Sequence, residues 1–241
     1  MSDAVFLIEE LGTPAIGDRV RLDGPEGRHA VKVRRIRAGE QLVIADGRGR
    51  GVRGAVVELD AGALSIEVAE VLVEPTRQVR WVAAQALAKG DRDELAIEML
   101  TETGVDEVIP WQASRSISRW GADRVERGLT RWRSTVREAA KQSRRLRVPE
   151  VADPLDTRRL AGRVATAARA LILHEEAGEP IGAVSVPDEG EVLVIIGPEG
   201  GIAPGELELL TGAGGRAVSL GDTVLRTSTA GVVALAALRL R

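Results

Sequence analysis

Residues 192–206, VLVIIGPEGGIAPGE, decide the fold. Five apolar residues, Val192 to Ile196, run straight into Gly-Pro-Glu-Gly-Gly, and Pro204 follows three residues later. A short unbroken apolar run bounded by turn residues is a strand buried on both faces. Proline at the first helical position then opens a helix. The stretch is therefore one strand–loop–helix unit. Its loop carries almost no side chains except the carboxylate of Glu199. In open α/β sheets ligands bind beyond the carboxyl ends of the strands, where this loop lies.

The same grammar extends in both directions. RALILH (169–174), AVSL (217–220), VRWVAAQAL (79–87) and DEVIPW (106–111) are short buried strands. DRDELAIEMLTETGV (91–105) has an Asp cap, helical periodicity at Leu95, Met99 and Leu100, and Gly104 as its stop. Ala122 to Arg145 is a long helical stretch that places Arg133, Arg137, Lys141 and Arg144 on one face. TAGVVALAALRL (229–240) is a final helix, apolar nearly all round, packed inside or against a partner subunit. Strands alternating with helices predict an α/β domain with a largely parallel sheet. Residues 1–73 differ. Runs at Gln41–Ala45, Val52–Leu59 and Leu64–Val73 are separated by Gly and Asp turns, which suggests a small barrel, with the basic segment GRHAVKVRRIRAGE (27–40) as a helical turn or loop on its rim. EPTRQ (74–78) is the linker.

The chain has 241 residues and no Cys, which excludes disulfides and thiolate metal sites and fits the cytoplasm. Its start, MSDAVFLIEELG, lacks the basic region of a signal peptide, and no apolar run approaches the ~20 residues of a membrane span. The net charge of -3 hides a strong segregation. Arg28–Arg53 holds eight basic and two acidic residues, and Arg115–Arg147 eleven and three, whereas Ala170–Gly215 holds nine acidic residues and no Lys or Arg. The basic zones are either solvated faces or phosphate contacts, and the guanidinium fork suits the latter.

Three strand ends form loops. At Gly197, Gly200 and Gly201 the backbone can approach a ligand closely. A phosphate cradle is disfavoured, because this loop is neither a GxxxxGK[ST] nor a GxGxxG and Glu199 would repel phosphate. The ligand is then polar but not phosphorylated; the alternative is a plain tight turn. SLGDTVLRTSTAG (219–231) places Arg226 before Thr227, Ser228 and Thr229, which can cap the last helix, so Arg226 is either functional or a structural ion-pair partner. LILHEEAGE (171–179) carries His174 and Glu175. With two His in the chain, a metal site is not expected, and His174 is structural or loop-lining.

Five stretches in this order resemble the ribosomal RNA small subunit methyltransferase E family of the SPOUT superfamily: RHAVKVRRIRAGEQLVIADGRG (28–49), ALAKGDRDELAIEMLTETGVDEVIPWQASRS (86–116), REAAKQSRRLRVPEV (137–151), IGPEGG (196–201) and LGDTVLRTSTA (220–230). The resemblance implies a PUA-like RNA-binding β-barrel over 1–73 and a SPOUT α/β domain with a deep C-terminal trefoil knot over 79–241. It implies a homodimer that uses S-adenosyl-L-methionine to methylate N3 of a uridine, position 1498 in the usual numbering, of 16S rRNA in the 30S subunit. The cofactor residues it implies are Leu173, His174, Glu175, Ile196, Gly197, Pro198, Gly200, Gly201, Leu220, Gly221, Leu225 and Thr227. Arg226 would steady charge on the uracil carbonyls, and Glu199 would accept a proton or fix the loop and ribose. Arg28, His29, Arg34, Arg35, Arg137, Lys141, Arg144 and Arg145 would contact RNA. Two departures stand out: Ser228 occupies the place of a family Glu, which puts in question any mechanism needing that carboxylate as base, and Thr223 occupies the place of a basic residue. Two rival readings are a SPOUT methyltransferase of tRNA or 23S rRNA, and a non-enzymatic RNA-binding module.

Overall fold

The computed structural model describes residues 3–239; Met1, Ser2, Leu240 and Arg241, at the ends of the two expected domains, lie outside the described residues. The chain divides into two compact units. One comprises Met1–Thr76 with Ala140–Val148, the other Arg77–Ala139 with Pro149–Arg241.

The first unit is built on five strands, β1 (Ala4–Leu7), β2 (Arg19–Leu22), β3 (Gln41–Ala45), β4 (Arg50–Leu59) and β5 (Leu64–Val73), ordered β1-β3-β4-β5-β2. β1 runs parallel to β3 and the other pairs are antiparallel. Alternation in β5 buries Leu64, Ile66 and Val68 and leaves Glu67 and Glu70 outside. Phe6, Leu22, Leu42, Ile44, Val52, Val56 and Ile66 join one core. A second, smaller cluster joins Val5, Leu7, Val43 and Ala45 to Leu146 and Val148 of the returning segment. The hydrogen-bond ladder is open among the described residues, because β1 has four residues and β2 is anchored through Gly17 and Asp18 to Val68 instead. β2 was not legible in the pattern, being a four-residue strand with two arginines. The segment after it forms α1 (Gly24–Arg28), which continues as a π-helical turn, His29–Val33.

The second unit is an α/β layer structure. Its strands are β6 (Val79–Ala86), β7 (Glu107–Trp111), β8 (Glu150–Val151), β9 (Arg169–Leu173), β10 (Gly190–Ile196) and β11 (Arg216–Val218). All pair in parallel, in the order β11-β9-β10-β6-β7-β8. The helices are α2 (Arg92–Glu102), α3 (Val125–Gln142, running into the first unit's returning segment), α4 (Thr157–Thr166), α5 (Pro204–Gly212) and α6 (Thr227–Arg239). Val192 to Ile196 are at most 1 % exposed, as the two-sided burial of a central parallel strand requires. α2 ends as its sequence predicts: Gly104 has φ +92, a conformation costly for any other residue. Its expected Asp91 cap makes no side-chain hydrogen bond. None of the described helices is long and apolar enough to cross a membrane.

The helical reading of 122–145 needs correction. Residues 121–124 are turn, and α3 stops at Gln142. Arg144 then takes φ +58, so it leaves the helical face expected to align it with Arg137 and Lys141. Arg145 is 8 % exposed.

Candidate active site

The carboxyl ends of β9 and β10 carry the loops that the sequence singled out, and a cavity of about 290 Å³ opens among them. The segment after β10 supplies Gly197, Pro198, Glu199, Gly201 and Ile202; the segment entering α6 supplies Val224, Leu225, Arg226, Thr227 and Ala230; Leu173, Glu175, Ile196 and Arg92 complete the wall. Gly201 has φ +71, which keeps the loop tight beneath α5. Its amide donates to the Pro198 carbonyl at 2.9 Å.

Two side chains fix the glycine loop. Glu199 Oε1 accepts from the Lys89 amide at 3.2 Å and from Arg92 Nη1 at 3.3 Å, tying the loop to the start of α2. Behind the loop, the Gln85 amide nitrogen donates to Thr227 Oγ1 at 2.9 Å, and Thr227 Oγ1 donates to the Gly197 carbonyl at 2.7 Å. Gln85 is fully buried, so this relay locks the ends of β6 and β10 to the first turn of α6. Thr227 thus spends its hydroxyl on the neighbouring loop rather than on its own helix. Arg226 follows from that anchor. Its guanidinium has no hydrogen bond or ion pair among the described residues, and it faces the cavity.

A deeper anchor sits beneath α5. Burial pushes the Glu206 carboxyl up, but hydrogen bonds from Thr157 (2.5 Å), the Ser114 hydroxyl (2.7 Å) and amide (2.9 Å) and the Ala203 amide (3.3 Å) prevail and hold it below its ordinary value. Beside Arg92, burial raises the Asp93 carboxyl to about 6.

Of the expected cofactor residues, Leu173, Glu175, Ile196, Gly197, Pro198, Gly201, Leu225 and Thr227 line the cavity, as do Glu199 and Arg226. His174, Gly200, Leu220 and Gly221 do not. The His174 ring closes its own turn, with Nδ1 accepting from the Glu176 amide at 3.2 Å. The Gly200 carbonyl accepts from Arg115. Sequence reasoning missed Arg92, Ile202, Val224 and Ala230 on the wall, and Gln85 behind it. Gln85 had a signal: a lone amide at the end of an otherwise apolar strand must find buried partners.

The expected RNA-contact residues are less uniform. Arg28, Arg34 and Arg35 are exposed, and Arg35 holds φ +54 after the π turn. His29 is half-buried, edge-on to Phe6 at 6.4 Å. Lys141 pairs with Glu26 at 3.1 Å, their side chains 10 % and 15 % exposed. Arg137 is half-buried and Arg144 exposed. No group of three or more His, Cys, Asp or Glu among the described residues is arranged to hold a metal.

A parallel α/β unit with a glycine-rich cavity at its strand ends, accompanied by a small β unit, defines a class: residues 75–239 match the RNA methyltransferase domain and residues 22–69 the RNA methyltransferase PUA domain. The ribosomal RNA small subunit methyltransferase E of Mycobacterium bovis is 47 % identical over 97 % of this chain and 90 % of its own length. The chain belongs to the ribosomal RNA small subunit methyltransferase E family. Solved structures agree. The Neisseria gonorrhoeae family member bound to S-adenosyl methionine superposes with a TM-score of 0.86 at 26 % identity, over 98 % of this chain and 96 % of its own. A Legionella pneumophila methyltransferase with bound SAM gives 0.84 at 27 % identity, over 100 % and 98 %.

Proposed function

We propose that this chain methylates N3 of one uridine of 16S rRNA in the small ribosomal subunit, position 1498 in the usual numbering, with S-adenosylmethionine as donor. The observation that carries the reading is the cavity: an apolar, glycine-bordered pocket with two carboxylates and one uncommitted guanidinium, in a chain of an RNA methyltransferase family. The lining fits the donor's chemistry. Leu173, Ile196, Ile202 and Leu225 suit a flat heterocycle, and Glu175 and Glu199 tolerate a cation and accept from hydroxyls. When bound, the donor supplies an electrophilic methyl group on a sulfonium.

The chain's own residues do the rest. Gly197, Gly201 and Leu225 present backbone groups to the donor, and the Gln85–Thr227 relay holds them in place. Arg226 stabilises negative charge on the uracil carbonyl oxygens, the logic of an oxyanion hole, as N3 passes its proton to solvent water and its lone pair takes the methyl group from the sulfonium, which leaves as the neutral thioether. Glu199 acts as the loop's anchor, since its Oε1 serves two donors on the 89–92 segment. Much of the rate enhancement is alignment of N3 with the methyl group. The first unit, with Arg28, Arg34 and Arg35 exposed, grips rRNA through phosphates and shape.

The reading includes three further elements: a homodimer, action in the cytoplasm, and a C-terminal trefoil knot. The knot is supported by β10 lying between β9 and β6, and by Ser219 reaching back to Glu179 (2.8 Å) and Ile181 (2.9 Å) before α6 begins. An experimental chain trace decides the knot, and light scattering decides the dimer. For the activity, labelled S-adenosylmethionine and 30S subunits lacking native methylation are the test, with the modified nucleotide mapped. A single 3-methyluridine in the decoding region is expected. Transfer to tRNA or 23S rRNA instead overturns the substrate, and absence of both transfer and donor binding overturns the enzyme.

A further inference from the structure

The loop after β7, Ser114–Trp120 (SRSISRW), takes no part in the cavity wall, yet it is held at both ends. Ser114 donates to the buried Glu206 through its amide (2.9 Å) and its hydroxyl (2.7 Å). At the far end the Trp120 amide donates to Gln112 Oε1 at 3.1 Å, and the Trp120 ring packs edge-to-face on Trp132 with centroids 5.4 Å apart. Ser116, in the middle, points inward and is 6 % exposed. The alternate residues face solvent: Arg115, Ile117 at 68 % exposure, and Arg119.

Arginines of this unit divide into those that a carboxylate neutralises and those that none does among the described residues, and these two belong to the second group. Arg77, Arg80, Arg131 and Arg216 are each paired with a carboxylate: Asp106, Glu107 and Glu150, Glu94 and Glu179 respectively. Arg115 and Arg119 have no carboxylate partner among the described residues. Arg115 Nη1 donates to the Gly200 carbonyl at 3.2 Å, and Arg119 Nη2 to the Ser114 carbonyl at 2.9 Å. A guanidinium has five N–H donors, so each bond orients the group and leaves most of it free for an anion. The loop also abuts the cavity rim. A Cβ at Gly200 would lie 3.3 Å from the Arg115 Cβ and carbonyl, and Gly200 sits between the cavity-lining Glu199 and Gly201.

We propose that Ser114–Trp120 is an RNA-binding element of the catalytic unit, in which Arg115 and Arg119 hold backbone phosphates beside the target nucleotide and Ile117 packs on a ribose or base face. This rests on the reading that the substrate is RNA. Preorganisation by Glu206 and the Trp120–Trp132 pair lowers the entropy lost when RNA binds. The element differs from the exposed arginines of the first unit because it would act at the reacting nucleotide.

The test measures KM for unmethylated 30S subunits at several salt concentrations, with full-length wild type, Arg119→Ala, Arg119→Lys and the Arg115→Ala/Arg119→Ala double variant. Donor affinity is followed by calorimetry. A phosphate contact contributes about 0.7 to 0.9 to the slope of log affinity against log salt, or about four- to fivefold in affinity near 0.15 M salt. Each alanine should raise KM by about that factor and flatten the slope accordingly. Arg119→Lys should retain the slope, and saturating turnover should fall less than KM rises. Unchanged KM and slope in the double variant overturn the proposal. So does a KM rise that is independent of salt, which marks a merely structural role. Should the double variant lose donor affinity through Gly200, Arg119→Ala alone decides, because the Arg119 hydrogen bond lies within its own loop. A wild type that methylates no RNA overturns the underlying reading instead.

Discussion

Thr227→Val removes a hydroxyl while keeping the side chain's shape, so it isolates the relay behind the glycine loop. Two hydrogen bonds disappear, Gln85 to Thr227 (2.9 Å) and Thr227 to the Gly197 carbonyl (2.7 Å). Gln85 keeps its bond to the Ala86 carbonyl at 3.1 Å, but its Oε1 already lacks a hydrogen-bond partner. The site is dry: Gln85 is 0 % and Thr227 6 % exposed. A buried polar group left unpaired costs about 1–3 kcal/mol; the Gly197 carbonyl loses its hydroxyl donor while Gln85 keeps one bond, so the expected loss lies between one such cost and two, about 2–4 kcal/mol. For a chain of this size that is roughly 5–15 °C in melting temperature. All four tryptophans, Trp81, Trp111, Trp120 and Trp132, lie in the second unit, so tryptophan fluorescence follows its unfolding selectively. Thr227→Ser retains the hydroxyl and should stay within about 1 kcal/mol of wild type. Donor affinity should fall in the valine variant, because Gly197 lines the cavity. A valine variant as stable as the serine variant, with unchanged donor affinity, would refute the relay.

Three further outcomes follow from the same geometry. Asp93, raised to about 6 by burial, binds a proton more tightly folded than unfolded, so the second unit loses stability as pH rises from about 4 to about 6 and is level above. Asp93→Asn should abolish that loss, its advantage over wild type growing across the window to at most about 3 kcal/mol; a pH-independent gap in urea titrations contradicts this. Lys141→Ala should destabilise the first unit by about 1 kcal/mol or more, seen by circular dichroism, because it removes the ammonium that pairs with the half-buried Glu26 carboxylate; weakened RNA binding with unchanged stability would favour the RNA-contact role instead. Arg226→Ala should lower kcat by about a hundredfold or more while donor affinity changes little, and normal turnover removes its catalytic role.

The strands and the cavity loops were legible because their signals are local. Five apolar residues ending in glycines favour a buried strand and permit a close backbone approach. The length of Gln41–Ala45 and Leu64–Val73 follows from turn residues on either side. What the pattern did not hold is what depends on distant partners. α3 keeps its periodicity through Gln142, yet the chain turns at Arg144 because Leu146 and Val148 are drawn into the first unit's second core cluster, about seventy residues or more away in sequence from its members. Lys141 lies on the expected helical face, but its meaning changed once Glu26 lay beside it. Arg92 became part of the cavity only because Glu199 folds back to meet it. His174 and Gly200 adjoin the cavity in sequence without lining its wall, because the His174 ring closes its own turn and the Gly200 carbonyl faces Arg115.

The net charge of -3 is the least informative number in the sequence, because the second unit sorts its charges by end. At the amino ends of the strands, Glu107, Glu150 and Glu191 gather around two arginines: Arg163 meets Glu107 at 2.7 Å and Glu191 at 2.5 Å, and Arg80 meets Glu107 at 3.1 Å as well as Glu150. The Glu191 hydrogen bond, with the two carboxylates' attraction, raises the Arg163 pKa despite burial, and the cluster is electrostatically closed. At the carboxyl ends charges of both signs mix, with Glu175 and Glu199 on the cavity wall beside Arg92 and Arg226. Arg92 shares Glu199 with the Lys89 amide, while Arg115, Arg119 and Arg226 have no carboxylate partner among the described residues. Ion pairs that satisfy each other present little field to solvent, whereas unneutralised arginines beside a low-dielectric cavity focus it. A polyanion that reaches the glycine loop meets Arg115, Arg119 and Arg226 beside the carboxylates of Glu175 and Glu199, so its attraction depends on reaching those arginines directly.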